Sequence, residues 1–251
     1  MFFFVVGRRQ ARTILAALIC LTIVLAYQSL AVWANARGGS NPDLVWYVST
    51  DEPAIALTFD DGPDPKYTPA VLKALDQYGA KATFFFIGRN VEEYPDLVRQ
   101  VVAAGHEVGN HTYSHQYNLS HLPEGEIVRQ IEKTAALVGD VSGYQTKVFR
   151  PPGGAYNPHL ISVVKSLGYD IILWTWTTNP SDAYAPGSDK ITRRATEAAL
   201  PGDIILLHEG VNHGQTLKAL PQIMKVLSDR GFKFVTVSQL LALRKAPLPT
   251  H

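Results

Sequence analysis

The chain has 251 residues, with 23 Lys+Arg against 22 Asp+Glu and a formal net charge of +1. Its 46% hydrophobic residues can bury a sizeable core, which excludes wholesale disorder, and the near-neutral balance speaks against a nucleic-acid binder working by broad phosphate neutralisation. A single cysteine, Cys20, excludes an internal disulfide framework and a cysteine-based zinc site, so histidines and carboxylates would have to hold any metal.

The first 36 residues differ from the rest. Arg8, Arg9 and Arg12 precede the largely apolar stretch Ile14–Ala34, and no acidic residue occurs before Asp43. Basic residues ahead of an apolar run predict a cytoplasmic start and export of the remaining chain to the cell envelope. The stretch is 21 residues long, enough to span a bilayer uncut. Ser29-Leu30-Ala31 and Ala34-Asn35-Ala36 nevertheless both offer small residues for cleavage. Signal peptide and transmembrane anchor both stand, and either brings the chain to the cytoplasmic membrane.

Residues 37–47 read as a linker, 48–245 as one domain and 246–251 as a tail. Strand-like apolar runs fall at Ala54–Phe59, Ala82–Ile87, Glu107–Gly109, Lys147–Phe149, Asp170–Trp174, Asp203–Leu207 and Lys233–Val235. Helical patterns lie between most of them, at Thr68–Tyr78, Pro95–Ala104, Pro123–Val138, Pro158–Leu167, Lys190–Leu200 and Thr216–Arg230. Pro69, Pro95 and Pro158 fall in first turns, and Gly79, Gly105, Gly168 and Gly231 just past helix ends. Seven strands alternating with helices predict a parallel sheet with crossover helices.

The polar clusters come at the strand ends. Asp60-Asp61 comes after the first strand and His111 and His115 after the third; Arg150 ends the fourth, Asp182 lies beyond the fifth, and His208 ends the sixth. In a parallel barrel the carboxyl ends of the strands share one rim, so a set dispersed in sequence converges in space. The apolar Ile55–Phe59 runs straight into Asp60, which predicts partial burial, and a buried carboxylate needs a partner or a metal. His111 and His115 are four apart, so a single helical turn would aim both imidazoles at one point. With a strand-end aspartate they describe a two-histidine, one-carboxylate site that leaves positions open for water and substrate. Arg150-Pro151-Pro152-Gly153-Gly154 is stiff and then permissive, and its arginine is placed to pair with an aspartate. Each motif alone also admits an ordinary structural reading; convergence on one rim favours chemistry. The triplet Phe84-Phe85-Phe86 reads as core.

Thr58-Phe59-Asp60-Asp61-Gly62-Pro63, His111-Thr112-Tyr113-Ser114-His115, Arg150-Pro151-Pro152-Gly153-Gly154 and Leu206-Leu207-His208 resemble, in order and spacing, the motifs of the polysaccharide deacetylase family. This is the NodB-homology domain, carbohydrate esterase family four. The likeness runs from about Val48 to Leu243 and implies an α/β fold, a distorted (β/α) barrel with about seven parallel strands. It implies metal-dependent hydrolysis of N-acetyl groups from N-acetylglucosamine-type residues of a glycan. Asp61, His111 and His115 match the ligands of a divalent metal, usually zinc, with cobalt, manganese or nickel accepted in some members. Asp60 matches the general base, Arg150 the residue that orients it, and His208 the general acid. Leu206 matches the wall of the acetyl pocket, and the Gly153 N–H would help hold the oxyanion. Two departures stand out. Gly153 occupies a position that is often aromatic. In Trp174–Tyr184, Asp182 matches the aspartate that tunes the catalytic histidine, but Ala183 replaces a tryptophan. Trp176 and Tyr184 are the remaining aromatic candidates for substrate contact. Membrane-targeted bacterial members often act on peptidoglycan, which makes it the leading substrate. Chitooligosaccharides, poly-N-acetylglucosamine and O-acetyl esters are the alternatives, and a catalytically inactive glycan-binding derivative is the alternative outside enzymes.

Overall fold

The computed structural model describes residues 15, 17–24, 37–210 and 214–245. Most of Ile14–Ala34 and all of residues 246–251 lie outside the described residues. Among the described residues, no helix is long and apolar enough to cross a membrane.

The strands are β1 (Leu44–Val45), β2 (Ala54–Asp60), β3 (Thr83–Phe86), β4 (Glu107–Asn110), β5 (Val148–Phe149), β6 (Asp170–Ile172), β7 (Ile204–His208) and β8 (Lys233–Phe234). All these pairings are parallel, in the order β1-β6-β5-β4-β3-β2-β7, with β8 on the start of β2. Irregular backbone spans the seam between β1 and β7. Tyr47 bridges Asp203, Val48 N–H donates to the Gly202 carbonyl (2.8 Å), and Thr175 N–H donates to the Ile204 carbonyl (2.9 Å). The sheet thus curls into a distorted (β/α) barrel. The helices are α1 (Thr68–Asp76), α2 (Gly88–Glu93), α3 (Pro95–Ala103), α4 (Glu124–Ser142), α5 (Pro158–Ser166), α6 (Ser188–Thr196), α7 (Gly214–Asp229) and α8 (Val237–Ala242).

The two-residue period of a strand sorts the side chains between two cores. Ile55, Leu57 and Phe59 of β2, Phe84 and Phe86 of β3, and Ile205 and Leu207 of β7 share a buried cluster with residues of α1, α3, α6 and α7. Their alternates Ala56, Phe85 and Ile204 join Val148, Ile172 and the α8 residues Val237 and Leu240 in a second cluster that fills the barrel. By the same alternation, Thr58 and Asp60 of β2 and Leu206 and His208 of β7 belong to the inner set. Register sets Thr58 beside Leu206 and Asp60 beside His208.

Three expectations need correction. The segment 37–47 is no free linker, because Leu44 and Val45 pair with Ile171 and Ile172, and Arg37 binds Asp203. Two residues are too few to show a strand period. Helices α2 and α8 were not foreseen either, although α8 carries the capping box Thr236–Gln239 in its sequence. The last expected strand positions, Leu173 and Trp174, lie past the end of β6.

His106, assigned no role from sequence, is a core residue. Its Nδ1 accepts the Ala82 N–H (3.2 Å), and its ring meets Phe84 edge-on at 5.4 Å. Burial first, then the Lys81 charge, lowers its pKa to about 4. The fold therefore favours the neutral ring: this contribution is complete above the unfolded value of about 6.5 and is lost as pH falls towards the folded one. In urea titrations at pH 7.5 and pH 5, His106→Leu should lose less stability on acidification than the parent. Equal losses would place the acid sensitivity elsewhere.

Candidate metal centre and active-site pocket

Asp60 closes β2, and Asp61 then turns into the left-handed region at φ 76°. Asn90 of α2 holds this turn by donating its side-chain N–H to the Asp61 carbonyl (2.8 Å). His111 comes directly after the last residue of β4. The helical turn expected for His111–His115 does not form; the segment is a loop in which Thr112 (φ 67°) and His115 (φ 56°) are both left-handed. Side chains hold it instead. Asn110 accepts the Thr112 N–H (3.0 Å), and Thr112 accepts the His115 N–H (3.1 Å). Buried Gln130 of α4 accepts from the Tyr113 N–H, the Ser114 N–H and the Ser114 hydroxyl at 3.1, 2.9 and 3.0 Å. Nothing local in the sequence marks Gln130 as the clamp of a loop some fifteen residues away.

One ligand atom each from Asp61, His111 and His115 lies within 4.8 Å of the other two. Asp61 Oδ1 is 3.2 Å from His115 Nε2 and 3.6 Å from His111 Nε2, and it is a buried oxygen with no hydrogen-bond partner. An orphaned carboxylate oxygen between two imidazole nitrogens is what a cation would satisfy. The histidines suit that use. His111 Nδ1 sits 2.7 Å from the Arg150 carbonyl, so it carries the proton and leaves the Nε2 lone pair facing Asp61. Burial, then the neighbouring His111, pulls the His115 pKa down and favours the neutral ring. The residues fit a divalent metal.

On one side of this trio lies Asp60, 3% exposed, whose Oδ1 accepts from Arg150 at 2.6 Å. On the other lies His208, whose Nδ1 is 2.8 Å from Asp182 Oδ1. Asp182 Oδ2 accepts both the His208 N–H and the Thr216 hydroxyl, each at 2.8 Å. Burial raises the Asp182 carboxyl, but its hydrogen bond and charge pairing with His208 outweigh this and hold it low. Burial likewise opposes the His208 imidazolium, yet Asp182, with Asp60 and Asp61 farther off, raises its pKa to about 9.

Asp60, Asp61, His111, His115 and His208 line one cavity of about 380 Å³. Leu206, Gly153, Trp174, Ala183 and Tyr184 line it too, together with Tyr117, which sequence reasoning missed. Gly153 is left-handed (φ 61°), and a Cβ there would meet the Tyr117 ring at 3.1 Å. The Tyr117 ring, edge-on to His115 at 5.0 Å, lies against Gly153 on that side of the pocket. Trp176 stays outside the cavity lining. Its backbone N–H donates to the Arg37 carbonyl (2.9 Å) and its ring packs 4.9 Å from Trp46, both in the segment expected to be a linker.

The model of the polysaccharide deacetylase family matches residues 47–172. A peptidoglycan-N-acetylglucosamine deacetylase of Bacillus cereus is 43% identical over 205 residues, covering 79% of this chain and 92% of that protein. The chain belongs to the polysaccharide deacetylase family. Its fold matches that of the Bc1960 peptidoglycan N-acetylglucosamine deacetylase, solved with 4-naphthalen-1-yl-N-oxidanyl-benzamide, at TM-score 0.76 and 32% identity over 86% of this chain and 98% of that one. It also matches a family pseudoenzyme from Bacillus anthracis, at TM-score 0.75 and 27% identity over 82% of this chain and 72% of that one. The fold alone therefore does not decide activity; the side chains in the pocket do.

Replacing both His111 and His115 by alanine should abolish divalent-metal binding in a calorimetric titration of the folded protein. Stoichiometric binding by that variant would place the metal elsewhere.

Proposed function

We propose that this deacetylase hydrolyses N-acetyl groups of N-acetylglucosamine-type residues in peptidoglycan, releasing acetate, with a divalent metal, zinc by preference, held by Asp61, His111 and His115. The observation that carries this reading is a single cavity in which the metal trio faces a paired aspartate, Asp60, on one side and a paired histidine, His208, on the other. The peptidoglycan deacetylases among its relatives support the choice of glycan. Bound there, a divalent cation would supply Lewis acidity towards the acyl oxygen and acidify water.

The chain's own residues do the rest. Asp60 takes the proton of the attacking water, and Arg150 aims its carboxylate. The Gly153 N–H donates to the developing oxyanion. Leu206, in register with Thr58 on the pocket wall, offers the acetyl methyl an apolar seat. The departing amine needs a proton, and the His208 imidazolium supplies it. Asp182 keeps that proton on His208 at neutral pH and orients the ring. No covalent intermediate is needed.

Export to the outer face of the cytoplasmic membrane belongs to the same proposal. It rests on Arg8, Arg9 and Arg12 ahead of the apolar stretch. It is supported by Leu18, Ile19, Leu21, Ile23 and Val24, which are at least 50% exposed. A reporter fused after His251 and active only in the cytoplasm would overturn it.

The roles of the two aspartates separate by experiment. Asp60→Asn should keep the metal and lose roughly 10²–10⁴-fold in acetate release from purified peptidoglycan. Asp61→Asn should weaken metal binding, with activity partly restored at high metal. The opposite pattern reverses the assignment. In the pH profile of kcat/KM, the basic limb reports His208, which must be protonated to act. Asp182→Asn should move that limb from near 9 towards the ordinary imidazole value of about 6.5 and lower kcat. An unmoved limb would mean that His208 is not the acid.

A further inference from the structure

The buried carboxyl of Glu209 takes no part in this chemistry and, unlike Glu107 and Asp203, has no close partner. Glu209, the residue after β7, is 0% exposed, and neither Oε atom has a partner at full hydrogen-bond geometry; the Thr68 hydroxyl offers a looser one. Its backbone N–H donates to the Asp60 carbonyl (2.9 Å), extending the β2–β7 ladder one step past the Asp60–His208 pair. Strand alternation turns its side chain away from that of His208.

That side chain lies against Gly62. A Cβ on Gly62 would sit 1.9 Å from Glu209 Oε1, 2.7 Å from Cδ and 3.0 Å from Cγ. An exposed glutamate would swing aside, but this one is enclosed, so the conflict could not be relieved cheaply. Gly62 is outside the left-handed region, so its own conformation does not call for glycine. The contact with Glu209 does. On the far side of the turn, Ile87 N–H donates to the Gly62 carbonyl (2.8 Å), and Asn90 holds the Asp61 carbonyl. The turn that presents Asp61 is therefore held from β3 and α2 on one side and rests on Glu209 on the other.

We propose that Glu209 is a positioning residue for the metal centre: its enclosed side chain is the floor under Gly62 that fixes the left-handed Asp61 and aims its carboxylate at His111 and His115. This rests on the proposed metal role of that trio. Burial, together with the charges of Asp64, Asp61 and Asp60, pushes the Glu209 carboxyl well above its usual range.

Divalent zinc and cobalt titrations of the full chain test this, with circular dichroism confirming the fold of each variant. Glu209→Gln keeps the shape and should bind metal within about twofold of the parent. Glu209→Ala removes the floor and should weaken binding roughly 10–100-fold, the range typical of groups that orient a metal ligand. Gly62→Ala should weaken binding similarly, and Gly62→Ala/Glu209→Ala should recover most of the loss, since the new methyl enters the space vacated. Three results overturn the proposal: Glu209→Gln losing metal as Glu209→Ala does, Gly62→Ala binding normally, or the double variant binding no better than Gly62→Ala. If Glu209→Ala fails to fold, the Glu209→Gln and Gly62→Ala arms still decide. A parent protein that binds no metal sinks the metal reading and this one with it, whereas a parent that binds while all variants match it sinks this one alone.

Discussion

Arg150 is the residue on which the site depends. Its guanidinium is 0% exposed inside the barrel, stacked 4.1 Å over Phe85. Nε donates to the Ile172 carbonyl (3.1 Å), one terminal nitrogen to Thr58 (2.8 Å) and Asp60 (2.6 Å), and the other to the Leu173 carbonyl (2.9 Å). Its own carbonyl accepts from His111. One side chain and its backbone therefore tie β2 to the end of β6, hold Asp60 in place and set the tautomer of His111. A buried ion pair gains little over an apolar pair of the same shape, but removing one partner strands the other charge at about 3–5 kcal/mol. The pair is thus better explained by where it holds Asp60 than by stability.

Backbone strain gathers around the same rim. Among the described residues, five non-glycine residues adopt positive φ, namely Asp61, Thr112, His115, Ser181 and Ala185, and all lie in loops beyond strand ends on the pocket's side of the barrel. Such residues cost on the order of 1–3 kcal/mol each and persist only where their surroundings hold them. Here the holding groups are visible: Asn90 on Asp61, Asn110 on Thr112, Thr112 on His115, and Asn179 Oδ1 accepting the Ser181 N–H at 2.9 Å. The strained turns aim the carboxylate and imidazole groups inward, where helical or extended backbone would carry them past the cavity.

The opposite end of the barrel is built for stability. There α8 seals the interior with Val237 and Leu240, while Glu107 accepts from the Thr83 hydroxyl (2.7 Å) and from the Ser238 N–H (3.1 Å) and hydroxyl. The seam is closed by Arg37 on Asp203, a fully buried aspartate. Rigidity at that end leaves the loops at the strand carboxyl ends free to carry chemistry.

Much of this could be read from the chain alone. Strand runs ending in Asp60, Arg150 and His208, with His111 just past another, placed the chemistry on one rim, because alternation along a strand and parallel connection by helices are local rules. Phe84-Phe85-Phe86 could likewise be read as core, and the structure divides it, Phe84 and Phe86 in one cluster and Phe85 in the other. What the tertiary structure alone decided are distances between segments remote in sequence. Gln130 holding the His115 loop, Tyr117 filling the space beside Gly153, Trp176 drawn away by Arg37 and Trp46, and Glu209 under Gly62 leave no local pattern. Each depends on packing between elements whose separation is set by the whole barrel, and a two-residue strand or a clamped loop has no period of its own to read.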